Sequence, residues 1–123
     1  MFFIHLFSIL VFVTPKPKLM SRHKAYDDET LVRLLAQNEM AAFEELYTRH
    51  WKKLYAVACK RIQAKEVAEE MVQDIFTSLW TNRRTVSIQN FAAYLYTSMK
   101  YKIINHVQHE LVKKTYKEIT TTT

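Results

Sequence analysis

After Met20, hydrophobic residues recur every three or four positions in four separate stretches, the spacing that places them along one side of a helix. The first stretch runs from about Asp28 to Gln37. It carries Leu31, Leu34 and Leu35 on one face, with Asp27 or Asp28 placed to cap its start. Asn38 marks a tight break. The second stretch runs from about Glu39 to Arg61. At 100° per residue Phe43, Leu46, Tyr47, His50, Leu54, Val57 and Ala58 gather on one side, and Glu44, Glu45, Thr48, Arg49, Lys52, Lys53 and Lys60 on the other. His50 falls inside the apolar stripe and reads as a core histidine hydrogen-bonded to a neighbour.

The polar connection Gln63-Ala64-Lys65 leads to a third helix, about Glu66 to Trp80. A polar, β-branched loop, TNRRTVSIQN, follows. A long final helix begins near Asn90, an N-cap candidate, and runs towards Glu118; the terminal run of threonines is expected to fray. The chain contains no glycine, and both prolines, Pro15 and Pro17, lie near its start. Hairpin turns and phosphate-cradling loops lean on those residues, so the pattern predicts an all-α fold, a compact three- to four-helix domain with a long C-terminal helix, and argues against nucleotide hydrolysis. The formal charge of +6 suits a polyanionic partner, and the single cysteine, Cys59, excludes an intrachain disulfide and fits a reducing cytosol as a small packed side chain.

Two surfaces carry more than packing. On the third helix Val67, Met71, Val72, Ile75, Phe76 and Leu79 form the apolar side, while Glu66, Glu70, Gln73, Asp74 and Thr77 fall in an arc of roughly 80°. A solvated face matched to the helix dipole accounts for that arc. A patch that selects a basic partner protein and repels DNA is the other reading, in a protein that is otherwise basic. On the last helix Phe91, Leu95, Tyr96, Met99, Ile103, Ile104, Val107 and Leu111 make the apolar half. Tyr94, Thr97, Ser98, Tyr101, Lys102, Asn105, Gln108 and His109 make most of the other. Few carboxylates and many aromatic, hydroxyl and amide groups are what stacks on bases and bonds to base edges. Lys100, Lys113, Lys114 and Lys117 could hold phosphates, although the helical wheel turns Lys100 towards the apolar half. Arg83 and Arg84, in the loop between the two helices, could help form a pocket for an unstacked base.

These segments resemble region 2 of the extracytoplasmic-function group of the sigma-70 family. DETLVRLLAQNEMAAFEELYTRHWKKLYAVACKRI is similar to the opening helices of that region. AEEMVQDIFTSLW resembles its acidic-x-x-Gln-acidic signature and Trp ending. In NFAAYLYTSMKYKIINHV, Leu95-Tyr96 stands at the family's Leu-Tyr pair, Lys100-Tyr101 at its Arg-Asn position and Asn105-His106 at its Asp-His position. The spelling is closest to sigma factors of the Bacteroidetes type. The resemblance spans roughly Asp27 to Gln108.

It implies that Glu70, Gln73 and Asp74 contact the β′ clamp helices of the RNA polymerase core. It also implies that the loop with Arg83 and Arg84, and the face with Tyr94, Ser98, Lys100, Tyr101, Lys102 and Asn105, engage the non-template strand of the −10 promoter element. The protein is then a cytoplasmic specificity subunit and not an enzyme. It uses no cofactor, metal or small-molecule substrate, and an anti-sigma factor is a further possible partner. The alternative is a truncated helical module that binds polymerase or an anti-sigma factor without promoter activity.

The expected organisation has three parts. Residues 1–19, apolar to Val13, are read as an upstream extension from a misassigned start codon, with membrane attachment as the other reading. Residues 20–112 form the region 2 domain, and 113–123 a basic, frayed tail or linker stub. No helix-turn-helix of the family's region 4 is expected in this chain. His106, His109 and Glu110 share a metal-compatible spacing that no other clustered Cys or His supports.

Overall fold

A computed structural model of the protein describes residues 22–121. The stretch read as an upstream extension lies outside the described residues. A short 3-10 turn, Arg22–Ala25, precedes four helices: α1 (Asp28–Ala36), α2 (Met40–Arg61), α3 (Lys65–Thr81) and α4 (Phe91–Thr121). The all-α expectation holds, and the helix limits fall within a few residues of those read from the periodicity.

The helix ends follow from local chemistry. Asp27 caps α1 by accepting from the Thr30 backbone N–H at 2.8 Å. Hydrogen bonding from Thr30, by its side chain first and its backbone second, holds the Asp27 carboxyl below its ordinary range. A carboxyl lowered in the fold contributes stability above its unfolded pKa, and that contribution fades as pH falls through the lowered value. At the other end of α1, Asn38 N–H donates to Leu35 C=O at 3.0 Å and Glu39 N–H to Leu34 C=O at 3.2 Å. Asn38 sits at φ 67°, the left-handed turn usually given to glycine. In a chain without glycine, asparagine is the next residue to tolerate that position.

α2 is the central element and packs against α1, α3 and α4. Its apolar stripe enters one core with Leu31 and Leu35 of α1, Ile75, Phe76 and Leu79 of α3, and Phe91, Leu95 and Met99 of α4. Phe43 lies edge-on to Phe76 (centroids 6.1 Å apart) and to Trp80 (5.6 Å), and Tyr47 meets Phe76 at 4.8 Å. These edge-to-face pairs fix how α3 sits on α2.

A polar node ties the start of the fold to this framework. Asp28 accepts from Arg49 Nη1 at 3.1 Å and pairs with His50 Nε2 at 2.9 Å, while Arg49 Nη2 donates to the carbonyls of His23 and Lys24. His50 also lies edge-on to the buried Phe91 ring, 5.1 Å away. It is hydrogen-bonded, as its place in the stripe predicts, but it lies partly exposed at the edge of the core.

α4 departs furthest from expectation. Its first turn is capped by Asn90, whose Oδ1 accepts from Ala93 N–H at 2.9 Å. Replacing Asn90 with alanine is expected to cost about 1 kcal/mol, read as a lowered midpoint in chemical denaturation. An unchanged midpoint would show that the cap contributes nothing. Only Phe91, Leu95 and Met99 of the predicted apolar half are buried, and Tyr96, Ile104, Val107 and Leu111 are exposed. For the later turns the reason is length: α4 runs past the end of the core, and Val107 and Leu111 only line an open cleft beside Ile62 and Ala64.

Tyr94, expected on the open face, is half-buried and stacks on Phe91 at 6.3 Å. Lys100, which the wheel turned inward, is exposed. The helix runs to Thr121, a few residues beyond the end expected near Glu118. Hydroxyls of Thr115, Thr120 and Thr121 donate back to carbonyls one turn earlier, keeping those side chains compatible with helix. Among the described residues no helix is long and apolar enough to cross a membrane.

Candidate functional site

The predicted site residues fall on two neighbouring surfaces. α3 presents Glu70 and Asp74 to solvent and Gln73 half-buried beside them. The three arise because positions three and four apart share one side of a helix whose opposite side is sealed by Met71, Val72, Ile75 and Phe76. Gln73 turns towards α2, where it borders an apolar groove floored by Tyr47, Trp51, Tyr55 and Val72, with Glu69 at its rim. Tyr47 stacks on Trp51 at 6.2 Å, and Trp51 meets Tyr55 at 6.4 Å, so the groove wall is a short aromatic ladder. Burial, and then the charge of Glu69, push the Tyr47 phenol well above its ordinary value, so it stays neutral. The aromatic wall beside Gln73 was not read from the sequence as part of a site. Its spacing, with Trp51 four residues from each tyrosine, was the available signal.

Glu70 and Asp74 turn the other way, towards α4. With Lys102, Asn105 and His106 they line a single shallow cleft. Lys102 Nζ lies 3.6 Å from Asp74 Oδ2. Members of the two expected sets thus share one cleft, which the helical wheels alone do not reveal.

Along α4, Tyr101 is 63% exposed and Asn105 is exposed one turn further on. Ser98 is half-buried and lies on the same side, hydrogen-bonded with Tyr94. Burial raises the Tyr94 phenol above its usual value and that hydrogen bond opposes the shift. Lys100 is open to solvent but, as the residue before Tyr101, is rotated about 100° from it.

In the loop Arg84 is exposed, whereas Arg83 is engaged within the fold. Its guanidinium lies 4.0 Å over the Trp80 ring, donates from Nε to Asn38 Oδ1 at 2.9 Å and from Nη1 to the Trp80 carbonyl at 2.7 Å. Arg83 therefore pins the loop to the α1–α2 corner, and Arg84 is the more available cation. His106 is half-buried in the cleft and His109 exposed. Among the described residues no three His, Cys, Asp or Glu side chains converge as a metal site.

The family model for sigma-70 region 2 matches residues 46–110, just over half of the chain. The chain belongs to the sigma-70 region 2 family. The matched segment takes in most of α2, all of α3 and α4 as far as Glu110, and so includes every predicted site residue. No curated protein and no solved structure matches the chain. Family membership assigns a sigma-factor-like role in transcription initiation, in association with the RNA polymerase core. In that role a region 2 domain is a binding module and the polymerase performs the chemistry.

Proposed function

We infer that this domain docks on bacterial core RNA polymerase through the α3 ridge of Glu70, Gln73 and Asp74, set against the β′ clamp helices. It then holds the unpaired non-template strand of a −10 element along α4. The observation that carries this reading is the character of the open α4 face. Beyond the core the helix keeps a line of exposed groups, Tyr101 and Asn105 with Gln108 and His109, that can stack on and hydrogen-bond to bases. Lys102 and Arg84 flank that line as phosphate ligands. Strand separation needs no covalent step: contacts to the flipped-out bases offset an unstacking cost of about a few kcal/mol. The residues that carry the family's motifs extend the reading to a cytoplasmic sigma factor of the extracytoplasmic-function group, with a spelling closest to the Bacteroidetes type.

Polymerase docking is tested by retention of the chain on immobilised core enzyme. Wild type is expected to be retained, and the Gln73→Ala/Asp74→Ala double variant to bind at least about tenfold more weakly, as for a pair at the centre of an interface. Equal binding by a folded double variant would move the docking surface away from α3. Retention on polymerase without strand binding would favour the helical interaction module over the promoter-opening reading.

A further inference from the structure

Six apolar side chains on the later turns of α4 stand open to solvent: Ile104, Val107, Leu111, Val112, Tyr116 and Ile119 are between 39% and 70% exposed. At 100° per residue Ile104, Leu111, Val112 and Ile119 fall within an arc of roughly 100°, and Val107 and Tyr116 sit at its two edges. The stripe is centred about 150° away from the buried Phe91, Leu95 and Met99, so it faces away from the domain. Glu110, Lys113 and Lys117 lie on the opposite side of the helix, where Lys113 and Glu110 pair at 3.9 Å. Single exposed hydrophobics need no explanation, whereas a continuous stripe marks a contact surface. A helix that has left its core is also marginal by itself in water.

The order of the six residues identifies the occupant. Their spacing reads the same in both directions about the midpoint between Leu111 and Val112. In an antiparallel pair centred there, Ile104 lies level with Ile119 of a second copy, Val107 with its Tyr116 and Leu111 with its Val112. Gln108 and Thr115, on the centre line of the stripe, are level as well, so polar meets polar. A two-fold interface requires this self-complementarity, in which residue i meets j and j meets i. We propose that α4 pairs with α4 of a second copy of this chain, antiparallel and centred between Leu111 and Val112, over roughly 24 Å of helix. The seam buries far fewer than the about 20–30 residues a side of a standard interface, so the pair forms only at high concentration. It also covers Gln108 and the neighbouring Asn105, so pairing and strand capture exclude one another. That consequence rests on the proposed function; the pairing does not.

Sedimentation equilibrium of the full chain over a range of concentrations tests the pair. The mean mass of wild type is expected to rise towards twice that of the monomer. Ile104→Glu and Ile119→Lys are each expected to raise the dissociation constant at least about tenfold, because each places a charge in the apolar seam. Mixed in equal amounts they are expected to associate again, since the level pairing sets glutamate against lysine once and isoleucine against isoleucine once. Ile104→Lys mixed with Ile119→Lys should stay monomeric. Both positions are exposed in the monomer, so the helicity of the variants should match wild type by circular dichroism. Wild type that is monomeric at every concentration, or association that persists in both single variants, would overturn the pairing. Loss in the single variants without recovery in the glutamate–lysine mixture would overturn the antiparallel register. An excess of single-stranded oligodeoxynucleotide is expected to return the mass to that of the monomer. A strand bound to the intact pair, read by anisotropy, would overturn the exclusion and leave the pair standing, and a strand that binds neither form would count against the proposed strand face alone.

Discussion

Phe43→Ala is expected to destabilise the domain by about 3–5 kcal/mol, several times the cost of losing a helix cap. Phe43 is 2% exposed and stands where α2 meets α3, edge-on to both Phe76 and Trp80. Removing the ring deletes its buried apolar surface, leaves a cavity and loses two aromatic contacts together. Against a typical domain stability of about 5–15 kcal/mol, the unfolded fraction rises by roughly two to four orders of magnitude. Urea denaturation followed by far-UV circular dichroism reads the change directly. A midpoint close to that of wild type would mean that the α2–α3 contact is not the centre of the core. The consequence for function is indirect, because this packing helps to hold the α3 ridge and the α4 face in place.

The second large effect concerns binding and not folding. Tyr101→Ala is expected to weaken capture of the unpaired strand by about 5- to 150-fold, corresponding to loss of one base–aromatic stack of about 1–3 kcal/mol. The ring is mostly solvent-exposed, so its removal leaves the core intact and the denaturation midpoint close to wild type. Tyr96 supplies the control. It is also an exposed tyrosine of α4, but five residues away and therefore on another side of the helix. Tyr96→Ala should leave strand affinity nearly unchanged. Equal losses in the two variants would indicate general attraction between aromatic side chains and bases, without a defined face.

Much of this architecture is legible in the residues alone. The cap at Asp27, the break at Asn38 and the hydrogen-bonded place of His50 at the core edge follow from residue type and period, because each depends on chemistry within a few residues or on a strong amphipathic stripe. The misreadings have a common origin. A helical wheel assigns faces but does not know where the partner helices end. It therefore places Ile104, Val107 and Leu111 in a core that stops near Met99, and it leaves outside a Tyr94 that the first turn tucks against Phe91.

The sites divide in the same way. Family-like motifs single out Glu70, Gln73 and Asp74, and the side-chain types along α4 single out Tyr101 and Asn105. How those groups meet depends on how α3 crosses α4. The contact of Asp74 with Lys102 and the hydrogen bond from Arg83 to Asn38 are tertiary facts with no local signature, whereas Trp80 lies only three residues from Arg83. Two whole helices, α2 and α3, separate Asn38 from Arg83 in the chain.

The measurement that bears most directly on the account uses a fluorescent single strand carrying −10 sequence, titrated with core RNA polymerase in the presence and absence of this chain. The account predicts tight capture only when both proteins are present, with that capture lost in the Gln73→Ala/Asp74→Ala variant and strongly weakened in Tyr101→Ala. Strand binding by polymerase that is unaffected by adding the folded chain would contradict it.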